Sequence, residues 1–285
     1  MKPENQNRIS AAVTNSSEQP NLDELAKNAG ISKYHFHRLF SGLTGIAVQR
    51  YMRLARMKRA SFQLAFRTWQ SITDIAFDAG YENAESFSRA FKREYGQTPT
   101  GFRKAPDWHT WHTLHSNIQD LSGQNMQAIS SDHVDIIDFP ETQVAVLEHR
   151  GDPSLLKNSI AKFIGWRRAN KLPPKRHATF NILYDDPAIT ADADYRFDLC
   201  CAVTKDFSDP EHGIIMKFIP AGRCAKIRHV GPDHLLDQKV RYLIGDWFHT
   251  SSELLRDFPI FFERVSFFPE VPEHEMTTDI YLPLE

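Results

Sequence analysis

Two internal duplications constrain this chain more than any single motif. The segments AKNAGISKYHFHRLF (26–40) and AFDAGYENAESFSRAF (76–91) share their punctuation. Ala26, Gly30, Phe36, Arg38, Phe40 and Gly45 recur as Ala76, Gly80, Phe87, Arg89, Phe91 and Gly96, at an offset of 50 that becomes 51 after Gly80. A short helix, a Gly-containing turn and a second helix with a basic face make a helix-turn-helix. A chain with two such units can read two adjacent stretches of major groove without dimerising, which points to a DNA-binding regulator.

In the first unit Leu22, Leu25 and Ala26 recur at helical spacing, Ala29-Gly30 ends that helix, and Ser32 caps the next. That second helix turns Phe36, Leu39 and Phe40 inward and Lys33, Tyr34, His35, His37 and Arg38 outward. In the second unit Asn83 is the N-cap and Phe87 and Phe91 face the core. Ala84, Glu85, Ser86 and Arg89 face out, with Lys92 and Arg93 one turn on. Recognition helices present N-terminal side chains to base edges, while flanking cations hold phosphate. Between the units, Tyr51, Leu54, Met57 and Leu64 form the apolar stripe of one long helix, and Arg50, Arg53, Arg56 and Arg59 its basic side. That helix is expected to fix the distance between the two readers.

Net charge agrees once the chain is divided. The overall −2 conceals 16 Lys+Arg against 10 Asp+Glu in residues 1–115, net +6, and 18 against 26 in the remainder, net −8. A basic first part supplies the footprint for phosphate, and the acidic part is expected to face elsewhere. Cys200, Cys201 and Cys224 make no CxxC and are expected to be reduced, buried thiols. No signal-peptide pattern opens the chain and no apolar run approaches the ~18 residues of a membrane span, so the expectation is a cytoplasmic protein with no membrane partner.

Residues 7–104 resemble the tandem helix-turn-helix domain of AraC/XylS-type transcription regulators. The resemblance is most specific in SITDIAFDAGYENAESFSRAFKREYGQTPTGFRK, which ends on Gly96, Pro99, Phe102 and Arg103. It implies seven helices, double-stranded DNA and RNA polymerase as partners, and base-facing side chains at Tyr34, His37 and Arg38 and at Ala84, Glu85 and Arg89. Ala84 and Glu85 stand where many relatives have polar donors. Glu85 can accept from a cytosine amino group or simply cost affinity, so the target sequence is not implied.

Residues 107–132 read as a linker, DWHTWHTLH followed by a polar stretch, with Trp108 and Trp111 packing a helical extension onto the domain before it. His109, His112 and His115 follow at i, i+3, i+6, which drifts around a helix, whereas metal ligation would prefer i, i+4 or a supporting Cys or carboxylate. No metal and no cofactor is expected.

From Val134 onward short β-branched runs alternate with Pro, Gly and two amphipathic helical segments, and again the pattern repeats. Phe139, Pro140, Ala145, Leu147, His149 and Gly151 match Ile219, Pro220, Ala225, Ile227, His229 and Gly231 at an offset of 80. The match holds through Gly165 and Gly245. One residue is then inserted, so that Trp166 meets Trp247 at 81, as Phe197-Asp198 meets Thr278-Asp279. The expected fold is multidomain: an all-α tandem helix-turn-helix domain (1–106), the linker, and an α+β domain (133–285) of two pseudo-symmetric β-α-β-β halves.

One residue breaks the second symmetry. Phe180, Ile182 and Tyr184 alternate onto one strand face, and their twins are Phe261, Glu263 and Val265. Glu263 therefore occupies an apolar-face position, and a carboxylate there needs a partner. Arg223 or Arg241 would be an internal one; a ligand cation or donor would be the other kind.

Residues 133–285 also resemble the GyrI-like effector-binding domain, through the IPxxxxA–HxG repeats, FPIFFERV and TTDIYLPLE. This resemblance implies a small-molecule cleft between the halves, with the family's central glutamate on Glu263 and aromatic positions on Trp166, Tyr184, Trp247 and Phe261. Val265 stands where many relatives have Tyr. The resulting expectation is a transcription regulator whose activity answers to a small amphipathic or cationic molecule. Two alternatives are a regulator whose C-terminal domain meets a protein, and a GyrI-like domain with hydrolase activity. Glu263 has no second acid–base group at a matching position, no nucleophile motif and no metal set beside it, so an enzyme is not expected.

Overall fold

The computed structural model describes residues 8–9, 11–13, 16, 21–44, 46–123, 133–186 and 190–285. It divides into two compact units, residues 1–129 with 272–274, and residues 130–271 with 275–285.

The first unit is helical. Helix α1 (Leu22–Ala29) is capped by Asn21 and stopped by Gly30, whose φ of 62° is the left-handed conformation that a glycine adopts without strain. Ser32 Oγ accepts the His35 amide at the start of α2 (Lys33–Thr44). The second pair is α4 (Ile72–Asp78) and α5 (Ala84–Tyr95), with Asn83 accepting the Ser86 amide at 2.8 Å and Gly96 closing the helix. Gly45, the twin of Gly96, lies outside the described residues. Between the pairs runs α3 (Val48–Phe66), 19 residues and so about 28 Å long. Its first turns join Leu25, Ala26, Phe36 and Phe40 through Val48 and Tyr51. Its last turns join Ile75, Phe87, Phe91 and Phe102 through Met57 and Leu64. One helix thus belongs to two cores, which holds the two helix pairs at a fixed spacing.

After α6 (Pro99–Lys104), the segment read as a linker begins with a helix, α7 (Trp108–Gly123). Trp108 and Trp111 are buried against Phe62, Phe66 and Phe102, as the pair of tryptophans led us to expect. Trp111 Nε1 donates to the buried Ser61 hydroxyl at 2.8 Å. His115 turns inward to the Tyr95 hydroxyl, 3.0 Å away. Residues 124–132 of the expected linker lie outside the described residues.

The second unit contains β1 (Asp135–Phe139), β2 (Thr142–Arg150), α8 (Leu156–Ala169), β3 (Thr179–Leu183) and β4 (Arg196–Ala202). The same series follows as β5 (Ile214–Ile219), β6 (Gly222–Val230), α9 (Leu236–Arg241), β7 (Ile260–Arg264) and β8 (Thr277–Pro283). Each half is the strand–helix–strand–strand unit read from the sequence, preceded by one further short strand. All pairings are antiparallel in the order β1-β6-β8-β7-β3-β4-β2-β5.

That order exchanges the extra strands: β1 pairs with β6 of the second half, and β5 with β2 of the first. The exchange dictates the curvature. β1 and β2 hold the first and seventh positions, so a flat sheet would separate them by six spacings, about 29 Å. Yet three peptide links from Phe139 to Thr142 span at most about 11 Å. Ile219 to Gly222 imposes the same limit from the other side. The sheet must curl until its ends approach, forming a half-barrel with a concave face and an outer face covered by the helices.

The residue inserted in the second repeat also has a structural counterpart. Where α8 is regular, α9 runs into a π turn over Tyr242–Trp247 before a last α turn. A π turn takes one residue more than an α turn, so it absorbs Asp246 and leaves Trp247 in register with Trp166.

Candidate functional site

On α2 the side chains of Lys33, His35, His37 and Arg38 are exposed. Lys33 pairs with Asp23 of α1, and His35 Nδ1 lies 2.9 Å from the Ser32 hydroxyl. The backbone of Tyr34 belongs to this helix; its side chain lies outside the described residues. On α5, Glu85, Arg89, Lys92 and Arg93 are exposed, and Ala84 and Ser86 half-buried. Ser86 also donates its hydroxyl to the Asn83 carbonyl, so it serves the cap. Glu85 and Arg89 form an ion pair of 3.3 Å. The basic side of α3 is not uniform. Arg50 is exposed, but Arg53 pairs at 3.0 Å with Glu94, whose side chain is 7% exposed, and so ties α3 to α5. Arg56 lies along Gly80, 3.6 Å from where a Cβ would stand.

In the second unit the concave face carries Phe139, Val144, Val146, Phe180, Ile182, Cys200, Phe261 and Tyr281, all buried. Two aspartates sit at equivalent places within it. Asp198, fully buried, accepts from Lys217 (2.6 Å), the Tyr184 hydroxyl (2.9 Å) and Arg150 (3.0 Å). Asp279 accepts from Arg228 at 2.6 and 2.8 Å and pairs with Lys226 at 2.8 Å. Burial opposes ionisation of Asp279, but its bonds to Arg228 and Lys226 prevail and hold its carboxyl below the usual range. The cations are not symmetry mates, since the twins of Arg150 and Lys217 are Val230 and Ile137. The same need is therefore met from different positions, and Asp198 draws Lys217 from β5 of the other half.

Glu263 projects from β7 onto this face beside Asp279, half-buried, and accepts from the Tyr281 hydroxyl at 2.9 Å. Burial and this carboxylate push the Tyr281 phenol well up, so it stays a donor. Neither internal arginine reaches Glu263. Arg223 is taken by Glu253 and the Glu285 carbonyl, and Arg241 by Asp237. Among the described residues Glu263 has no ion pair. Tyr281 thus supplies the hydroxyl bond to Glu263, and Val265 is half exposed. Sequence reading missed Tyr281 because its twin, Cys200, carries no such signal.

Four other expected site residues fall differently. Trp166 and Trp247 stand on the opposite face of the sheet from Glu263, in the two helix–sheet cores. Trp166 stacks on Phe163 and donates to Asp209. Phe261 shares the face of Glu263 but is fully buried, stacked on Tyr281 with centroids 4.9 Å apart and met edge-on by Phe139. Tyr184 is already occupied by the protein's own cations: Arg196, Arg150 and Lys217 lie 5.2, 5.6 and 5.7 Å from its ring centre. The three cysteines are free and buried, and burial raises their thiol pKa values. Among the described residues no three His, Cys, Asp or Glu side chains are grouped to hold a metal, and no helix is long and apolar enough to cross a membrane.

Residues 133–285, more than half of the chain, match the GyrI-like small molecule binding domain. The chain belongs to the GyrI-like family. Ahead of the GyrI-like domain, residues 25–105 match a helix-turn-helix domain. The probable transcriptional regulator YgiV of Escherichia coli K12 is 40% identical over 152 residues, covering 53% of this chain and 95% of that protein. The right origin-binding protein of the same organism is 38% identical over 92 residues, 32% of each chain. The regulatory protein SoxS of Salmonella typhimurium is 39% identical over 87 residues, 30% of this chain and 80% of that one. With both domains assigned, the chain is a DNA-binding transcription regulator of the AraC type that carries a GyrI-like domain.

Proposed function

We propose that the GyrI-like domain takes a cationic amphipath whose head meets Glu263. The observation that carries this reading is the contrast among the carboxylates of the concave face. Glu148, Asp198 and Asp279 each pair with at least one lysine or arginine, whereas Glu263 is bonded to a neutral phenol. A half-buried carboxylate with no ion pair of its own gains most from a cation. The opposite end of the face is unsuited to a cation, because three cations surround Tyr184. The apolar part of the ligand would lie against the Phe258–Phe261–Tyr281 cluster and open it, since those rings now pack on one another.

In this reading the regulator works in the cytoplasm. Lys33, Tyr34, His35, His37 and Arg38 on α2, and Ala84, Glu85, Ser86, Arg89, Lys92 and Arg93 on α5, face two major-groove segments, with Arg50 beside them. Occupancy of the Glu263 site alters what RNA polymerase does at the bound promoter.

The ligand claim is tested by calorimetry with decyltrimethylammonium and neutral decyl glucoside on wild type and Glu263→Gln. The substitution removes the Coulombic attraction to the quaternary head and should cost the cation about 1–3 kcal/mol of affinity, leaving the neutral compound unchanged. Equal binding of the cation to both proteins would refute it.

A further inference from the structure

The second reader carries, on its outward side, one pair of opposite charges. Glu85 stands in the first turn of α5 and Arg89 one turn later, 3.3 Å apart, with side chains 79% and 73% exposed. Glutamate four residues ahead of a cation is the favourable order on a helix, and the positive helix end favours the carboxylate. The first reader lacks this pair: the twins of Glu85 and Arg89 are Tyr34 and Arg38.

A carboxylate on a DNA-facing helix is repelled by phosphate, so it weakens binding wherever it makes no bond of its own. In the major groove the donors it can meet are cytosine N4 and adenine N6. Arginine, in turn, is matched bidentately by guanine O6 and N7. Because Glu85 and Arg89 are held together, they need an acceptor pair and a donor side by side. One guanine·cytosine pair offers that arrangement. An adenine·thymine pair places its donor between two acceptors, so the arginine loses its second bond and the carboxylate meets a lone pair.

The geometry points to Glu85 and Arg89 reading one guanine·cytosine pair as a unit. Arg89 donates to guanine O6 and N7, and Glu85 accepts from cytosine N4. Glu85 then determines specificity as much by rejecting adenine·thymine as by accepting cytosine. This inference rests on the DNA-binding reading and adds to it the base pair that the second reader selects.

The test uses the full chain on a footprinted site in which each base pair of the second major-groove segment is replaced in turn. Wild type should show one position where guanine·cytosine to adenine·thymine costs roughly tenfold or more in affinity. Glu85→Ala should reduce that penalty severalfold while tightening binding to unrelated DNA. Glu85→Gln should reduce the penalty likewise, because the glutamine amide can donate to the thymine O4 that replaces the cytosine amino group. If Glu85→Ala strengthens binding to every sequence by the same factor and leaves the penalty intact, the inference is wrong. A wild type that protects DNA but accepts adenine·thymine throughout the segment overturns it equally. A wild type that protects no DNA overturns the reading beneath it instead.

Discussion

Asp198 and Asp279 hold equivalent places in the two halves, yet only their own identity is shared, because their cations come from unrelated positions. Asp279→Asn strands Arg228 and Lys226. We expect a loss of about 2–3 kcal/mol at neutral pH, less than for a fully buried pair because both cations keep some water. The pH dependence follows from the depressed carboxyl. Its contribution is complete above the ordinary aspartate range and fades as pH falls through the lower folded value. Melting curves of wild type and variant should therefore differ by a constant amount from pH 7 to about 5 and converge below about 4; a gap that widens toward acid would contradict the assignment. At this scale the sequence was half legible. Glu263 stood out because its twin is an isoleucine. Trp166 and Trp247 pack on the other face of the sheet from Glu263, which the repeat match did not foretell because period-2 patterning does not extend to the helices that carry them.

Caps and turn glycines made most elements readable: Asn83, Gly30 and Gly96 each do in the structure what their residue type prescribes. The extra strands β1 and β5 were absent from the expected β-α-β-β halves, since Pro140 and Pro220 do not show that the chain crosses between halves there. The single-residue insertion was visible as a change of offset, but its consequence, a π turn, was not. Deleting Asp246 should convert that turn to α geometry like α8 and leave the second unit folded, with a melting temperature within a few degrees of wild type. Deleting Lys162 from the regular α8 should cost far more, because every inward side chain beyond it rotates by about 100°. Circular dichroism melts of the two deletions distinguish them, and equal damage from both would contradict the reading of Asp246 as an absorbed insertion.

The whole molecule is built by doubling twice. Two helix-turn-helix pairs share one long helix, and two β-rich halves trade a strand each and thereby curl one sheet. Both duplications were legible because fixed offsets survive substitution, but the strand exchange was not, because pairing partners leave no trace in a repeat alignment. In each doubling the two copies have diverged at a charged residue, Glu85 in the second reader and Glu263 in the second half. These are the positions where we place base choice and ligand choice. The central claim is that a cation at Glu263 controls transcription at DNA held by the first unit. It is tested most directly by transcription in vitro with RNA polymerase from a promoter that the protein footprints, with and without decyltrimethylammonium. We predict a change in transcript yield with wild type, none with Glu263→Gln, and none with neutral decyl glucoside on either. The same response from Glu263→Gln as from wild type, or no response from wild type on a promoter it occupies, would contradict the account.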